Sequence, residues 1–235
     1  MSKIIVALDF NEFKDAKAII DDTLDLLEYY KVGLESYISC GEKLINYLKE
    51  KEKKIFLDLK FHDIPNTVSA ATIASLKYGV DMLNMHAQGG VEMMKTTVDS
   101  VSEYCYKNGL NKPILIAVTL LTSLDKNYMM DYGIGFNSTE EYVLHLAKKA
   151  KLAGLDGVVS SPKETTKIKN EIGPDFITVT PGIRPAYEQI GDQKRVMTPK
   201  EAKMVGTDFM VIGRPITKVK DPKGAVIKIL EELND

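Results

Sequence analysis

A (β/α)8 barrel of the α/β class is the fold this sequence predicts, and three observations predict it. Eight short runs rich in apolar and β-branched residues recur along the chain, each followed by a longer stretch whose apolar residues repeat at helical spacing. Most of the runs are near-continuously apolar, as strands are when helices cover a parallel sheet. The 235 residues come close to the roughly 250 typical of this barrel, with no linker or low-complexity tract to divide them, so residues 1–235 are expected to form one domain.

The elements follow in order. Lys3–Asp9 (KIIVALD) precedes a candidate helix near 12–25, and Glu28–Gly33 (EYYKVG) precedes one near 36–51. Lys54–Lys60 (KIFLDLK) is followed by 66–77, and Asp81–Ala87 (DMLNMHA) by 90–107. Pro113–Thr119 (PILIAVT) leads to 138–152, and Asp156–Ser160 (DGVVS) to 162–170. Phe176–Thr180 (FITVT) leads to 199–205, and Asp208–Gly213 (DFMVIG) to 222–233. The joints agree: YGVD (Tyr78–Asp81) and AGLDG (Ala153–Gly157) each put a glycine after a helical run and an aspartate before the next strand. Pro65 and Pro162 stand where following helices would begin. The rival is a doubly wound open sheet, but no GxGxxG fingerprint or Walker A pattern follows any run.

Composition narrows the function. A net charge of −2 gives no general attraction to nucleic acid or anionic lipid. No window approaches a membrane span, and the N-terminal run reaches Asp9 without a secretory pattern, so a cytoplasmic protein is expected. Cys40 and Cys105 fall in helical stretches without metal or redox spacing and read as reduced, buried thiols. The three histidines lack ligand spacing, and no metal is expected.

In such a barrel, function gathers at the carboxyl ends of the strands, where Asp9, Lys31, Asp58, Lys60, His86, Thr119 and Arg214 fall. Taken singly, each has an ordinary structural explanation: a loop cap, a solvated lysine, a core histidine. Together they are harder to dismiss, because a strand interior tolerates charge only when it is paired or used. Asp58 and Lys60 are two apart and share a face, while Leu57, Leu59 and Phe61 need the helix layer, so the charged face is the barrel mouth. Asp63 lies past the strand, ahead of the helix-start signal IPNT. A lysine flanked by carboxylates favours its cationic form, making Lys60 a positioned proton donor rather than a nucleophile. An ion network that merely closes the barrel mouth is the structural alternative. In the last third, TPGIRP carries Arg184, GDQKRVMTP carries Gln193, and VIGRPI carries Gly213 and Arg214. Loops after the seventh and eighth strands form the usual phosphate grip of this architecture.

With these motifs assembled, the whole chain resembles the orotidine 5′-phosphate decarboxylase family: ALDF, KVG, LDLKFHDIPNT, NMHAQGG, VTLLTS, TPGIRP, GDQKRVMTP and VIGRPI. The most specific element is DxKxxDIxxT, held by Asp58, Lys60, Asp63, Ile64 and Thr67. The resemblance implies decarboxylation of orotidine 5′-phosphate to UMP without a cofactor. It also implies a Lys31, Asp58, Lys60 and Asp63 tetrad in a homodimer, where Asp63, Ile64 and Thr67 cross to the partner's site. Asp9 and Lys31 would position ribose hydroxyls, and Thr122 would meet the pyrimidine. Arg184, Gln193, Gly213 and Arg214 would hold the phosphate, with Gln193 on a closing flap. Two other readings stay open. One is a barrel similar to 3-keto-gulonate-6-phosphate decarboxylase, which reuses a DxK strand with Mg2+; the other is a non-catalytic phosphometabolite-binding barrel.

Overall fold

The computed structural model describes residues 2–185 and 197–234. Eight parallel strands pair in sequence order and close on themselves: β1 (Lys3–Leu8), β2 (Tyr29–Gly33), β3 (Lys54–Phe61), β4 (Met82–His86), β5 (Ile114–Val118), β6 (Gly157–Val159), β7 (Ile177–Thr180) and β8 (Phe209–Ile212). Closure comes from β1 against β8, with Ile5 opposite Val211. The crossovers are α1 (Phe13–Thr23), α2 (Leu34–Glu50), α3 (Pro65–Ser75), α4 (Gly90–Asn108), the pair α5 (Lys126–Asp131) and α6 (Thr139–Leu152), α7 (Pro162–Ile172), α8 (Pro199–Met204), and, after β8, α9 (Arg214–Thr217) and α10 (Pro222–Asn234). Short α5 and α9 are additions to the expected helices. Among the described residues no helix is long and apolar enough to cross a membrane.

Alternation along the strands divides the apolar residues into two cores. Ile5, Tyr29, Phe56, Met82, Ile116, Val179, Phe209 and Val211 fill the barrel interior, with the Tyr29 and Phe209 rings edge-on at 5.3 Å. Val6, Leu8, Tyr30, Val32, Leu57, Leu83 and Leu115 face outward and pack with Ile20, Leu44, Leu48 and Met93 from the helices. Gly157 is obligatory here: a Cβ would stand 2.2 Å from the Ile177 carbonyl oxygen, backbone that cannot yield without parting β6 from β7.

The joints behave as their residues suggest. Gly79 and Gly154 adopt φ of 60° and 85°, the left-handed region a helix-ending glycine supplies. The Asp81 and Asp156 carboxylates that follow accept from the Ile55 and Leu115 backbone N–H groups at 2.9 and 2.8 Å, pinning neighbouring strand starts. Pro65 and Pro162 open α3 and α7, where their missing N–H costs nothing. Both cysteines are free thiols; Cys105 is buried, whereas Cys40 is only partly so, a correction to its expected burial. Its position on α2 lies one residue before Gly41, where φ of 51° kinks the helix.

Candidate active site

At the carboxyl ends of the strands the barrel opens into a cavity of about 630 Å³, within the size range of small-molecule sites. Its charged wall arises directly from strand periodicity. Two residues beyond the interior hydrophobes Tyr29, Phe56 and Met82 come Lys31, Asp58 and Asn84, so the same inward face changes from hydrocarbon to polar. Asp58 is the hub. Its Oδ2 lies 3.3 Å from the Lys31 ammonium and its Oδ1 2.6 Å from that of Lys60. Lys31 also reaches Asp9 Oδ1 at 3.0 Å, giving an alternating row of Asp9, Lys31, Asp58 and Lys60 within one chain.

The row keeps its charges because each buried member has opposite neighbours. Burial pushes the Asp58 carboxyl up, but the Lys31 and Lys60 charges and the hydrogen bonds from Lys60 and Asn84 outweigh it and hold it below its ordinary value. Burial likewise pulls the Lys31 ammonium down, and Asp58 and then Asp9 more than restore it. Space for this pairing comes from Gly33, since a Cβ there would stand 2.7 Å from the Lys31 ammonium nitrogen and 3.2 Å from Asp9 Oδ1.

Further cations line the same cavity from other loops. Arg184 follows β7; its backbone N–H donates to Met197 at 3.0 Å and its Nη1 to the Ile183 carbonyl at 3.1 Å. Gly213 and Arg214 follow β8, and both arginines line the same cavity as Lys60. Buried Thr122, after β5, lines it too, beside Leu120 and Leu121.

Several expected residues stand elsewhere. Asp63, Ile64 and Thr67 are exposed and do not line the cavity of their own chain; the Asp63 Oδ1 accepts from the Ile64 N–H at 2.6 Å. Within the chain, Lys60 pairs with Asp58 at 2.6 Å, and no ion pair between Lys60 and Asp63 is found among the described residues. Thr119 is buried and ties β5 to β6 through a 2.8 Å bond from its Oγ1 to the Val159 carbonyl. His86 stacks near His62 at 5.3 Å. Its burial, with the His62 and Lys60 charges, pushes its pKa down to about 4. Gln193 lies outside the described residues. Sequence reasoning missed Asn84, Gly33 and the cavity-lining Thr217 and Lys218. Asn84 did leave a signal, a lone amide on the inward parity of β4.

A closed parallel barrel with a lysine and carboxylate row and two arginines lining one cavity defines a (β/α)8 enzyme site for a small anionic substrate. The family model described as orotidine 5′-phosphate decarboxylase / HUMPS family matches residues 2–229, and the chain belongs to that family. It is 49% identical over 224 residues to an orotidine 5′-phosphate decarboxylase of Pseudoalteromonas atlantica, covering 95% of each chain. It is 47% identical to that of Streptococcus thermophilus, covering 98% of this chain and 97% of the relative. The solved orotidine 5′-phosphate decarboxylase from Lactobacillus acidophilus superposes with a TM-score of 0.85 at 40% identity, each chain fully covered. An uncharacterized conserved protein from Geobacillus kaustophilus superposes at 0.84 with 35% identity.

Proposed function

We propose that this chain decarboxylates orotidine 5′-phosphate to UMP and CO2, the last step of de novo UMP synthesis. The observation that carries the reading is the Lys60 ammonium, 2.6 Å from a buried carboxylate, in one cavity with Arg184 and Arg214. The arginines and Gly213, with Gln193, take the phosphate, for which a guanidinium fork is well matched. Asp9 and Lys31 take the ribose hydroxyls, and Thr122 meets the pyrimidine. The C6 carboxylate then falls between Asp58 and Lys60.

Loss of CO2 breaks the C6–carboxylate bond and leaves its electron pair on C6, an sp² carbanion with no conjugated sink. Stabilisation therefore comes from charge already in place. The fixed Lys60 ammonium faces the developing negative charge, and no reorientation is required as it forms. Lys60 then transfers a proton to C6 and regains one from water. Asp58 holds that ammonium, and its charge disfavours the substrate carboxylate more than the departing neutral CO2. Phosphate binding energy, remote from the reacting carbon, is used to seat the ring against this row.

Asp63, Ile64 and Thr67 are exposed and do not line the cavity of their own barrel, and we read them as contributions to the site of a second copy in a homodimer. A Mg2+-dependent decarboxylation is the less supported alternative, since Asp9 and Asp58 each lie within 3.3 Å of a lysine ammonium. Near-UV absorbance of orotidine 5′-phosphate incubated with protein and excess chelator tests the proposal. The chromophore should shift to that of UMP; an unchanged spectrum with folded protein would overturn it.

A further inference from the structure

The β3–β4 ladder breaks at the site itself. Leu57 pairs with Leu83 and Phe61 with Met85, four steps along β3 against two along β4. Within the interruption Lys60 takes a φ of 52°, a left-handed conformation uncommon for a residue with a side chain. Its backbone N–H leaves the ladder and would lie unsatisfied in a crowded strand end without another acceptor.

Asn84 supplies that acceptor. The residue is 1% exposed, and its Oδ1 accepts from the Lys60 N–H at 2.8 Å while its Nδ2 donates to Asp58 Oδ1 at 2.6 Å. Chemistry fixes the amide's orientation, because a backbone N–H must meet the oxygen and an ionised carboxylate must meet the nitrogen. The same Asp58 oxygen receives the Lys60 ammonium. One neutral side chain therefore grips the backbone of the lysine and the carboxylate that directs its head group.

We infer that Asn84 is a positioning residue for the reaction, its amide holding the left-handed turn at Lys60 and the Asp58 carboxylate in register so that the ammonium is presented to the cavity. This rests on the proposed decarboxylation and adds to it the part that a second strand plays. An aspartate at the position keeps the acceptor but sets a second carboxylate against Asp58, whereas alanine keeps neither contact.

The test uses Asn84→Ala and Asn84→Asp in the full chain, with kcat and KM for orotidine 5′-phosphate measured across pH. Both should lower kcat by about 100-fold, the scale of a misplacement near 1 Å, with KM changed less than about threefold. In Asn84→Asp the acid limb of kcat/KM should also move to higher pH, because losing a donor and gaining a carboxylate both favour protonated Asp58. A purely structural amide would lower thermal stability and leave that limb in place. The Lys60 amide is read separately by hydrogen exchange, which needs no turnover. It should be protected in the wild-type protein and exchange at least about tenfold faster in Asn84→Ala, with the Leu83 amide unchanged. An unprotected Lys60 amide in the wild type, or folded variants with wild-type kcat and an unmoved acid limb, would overturn the inference. Inactivity of the wild type alongside the expected exchange would count against decarboxylation alone.

Discussion

Replacing Asp58 by asparagine keeps the shape of the hub and removes its charge. In the native protein two ammonium groups lie 2.6 and 3.3 Å from this carboxylate, worth roughly 6 and 5 kcal/mol of gross attraction at an effective dielectric constant of about 20. Most of that is spent on desolvation, because the Asp58 and Lys31 side chains are 9% and 11% exposed. The relevant quantity is the cost of leaving buried charge unpaired, about 3–5 kcal/mol when one partner of a buried pair is removed. Lys31 retains Asp9 at 3.0 Å and Lys60 is 29% exposed, so the lower end, about 3 kcal/mol, is expected. For a chain of this length that corresponds to a Tm lower by about 6–12 °C. The pH dependence has a definite sign. The folded pKa of Asp58 lies below its unfolded value, so its contribution is complete above the ordinary carboxylate pKa and is lost as pH falls through the folded one. The gap between wild type and Asp58→Asn should stay constant from about pH 5 to 8 and close in acid. Denaturant melts of Asp58→Asn, Lys31→Met and the double variant complete a cycle, in which the double should cost less than the sum by more than about 1 kcal/mol. Additive losses, or a single loss below about 1 kcal/mol, would refute the argument that this row is a coupled, buried unit.

Gly33→Ala should change Tm by no more than a few degrees, since the obstructed atom is the end of a flexible side chain, yet lower kcat/KM at least about tenfold by displacing the Lys31 ammonium; unaltered kinetics would remove Gly33 from the site. Lys60→Ala and Asp63→Ala, inactive alone, should regain about a quarter of wild-type sites when unfolded and refolded as an equal mixture, because each hybrid dimer holds one undamaged site. A mixture no better than its parents, with hybrids verified by mass, would rule out sharing across the dimer. His86, with a folded pKa near 4 against an ordinary 6.5, refuses a proton that the unfolded chain accepts, so stability should fall as pH drops through that window. His86→Gln should flatten the slope between about pH 6.5 and 5, and an unchanged slope would mean that His86 titrates normally.

What the sequence discloses and what it conceals divide along local and non-local physics. Strands and their order are legible because each apolar run is bounded by its own glycine, proline or aspartate. The parity that turns Asp58 inward belongs to β3 alone, and it holds. α5 and α9 escape notice because six and four residues are too short for a helical period, although Asp125, accepting from the Asn127 and Tyr128 N–H groups, caps α5 visibly in retrospect. Lys60 is a different case: its left-handed backbone follows from a register break against β4, and the acceptor for its N–H sits 24 residues away on Asn84. The clearance at Gly33 likewise depends on where Lys31 and Asp9 meet. Asp63 is close to Lys60 in sequence yet is exposed and outside the cavity lining, because the strand ends at Phe61 and Asp63 stands in the loop before α3 begins at Pro65.

Lys60 as the proton donor to C6 is tested most directly by turnover of orotidine 5′-phosphate in D2O, comparing wild type with Lys60→Ala at equal folded concentration. Ammonium protons exchange with solvent, so the wild type should release UMP carrying deuterium at C6, read by the loss of that proton signal, while Lys60→Ala binds UMP but forms almost none. Near-wild-type turnover by Lys60→Ala, or wild-type product retaining protium at C6, would contradict the assignment.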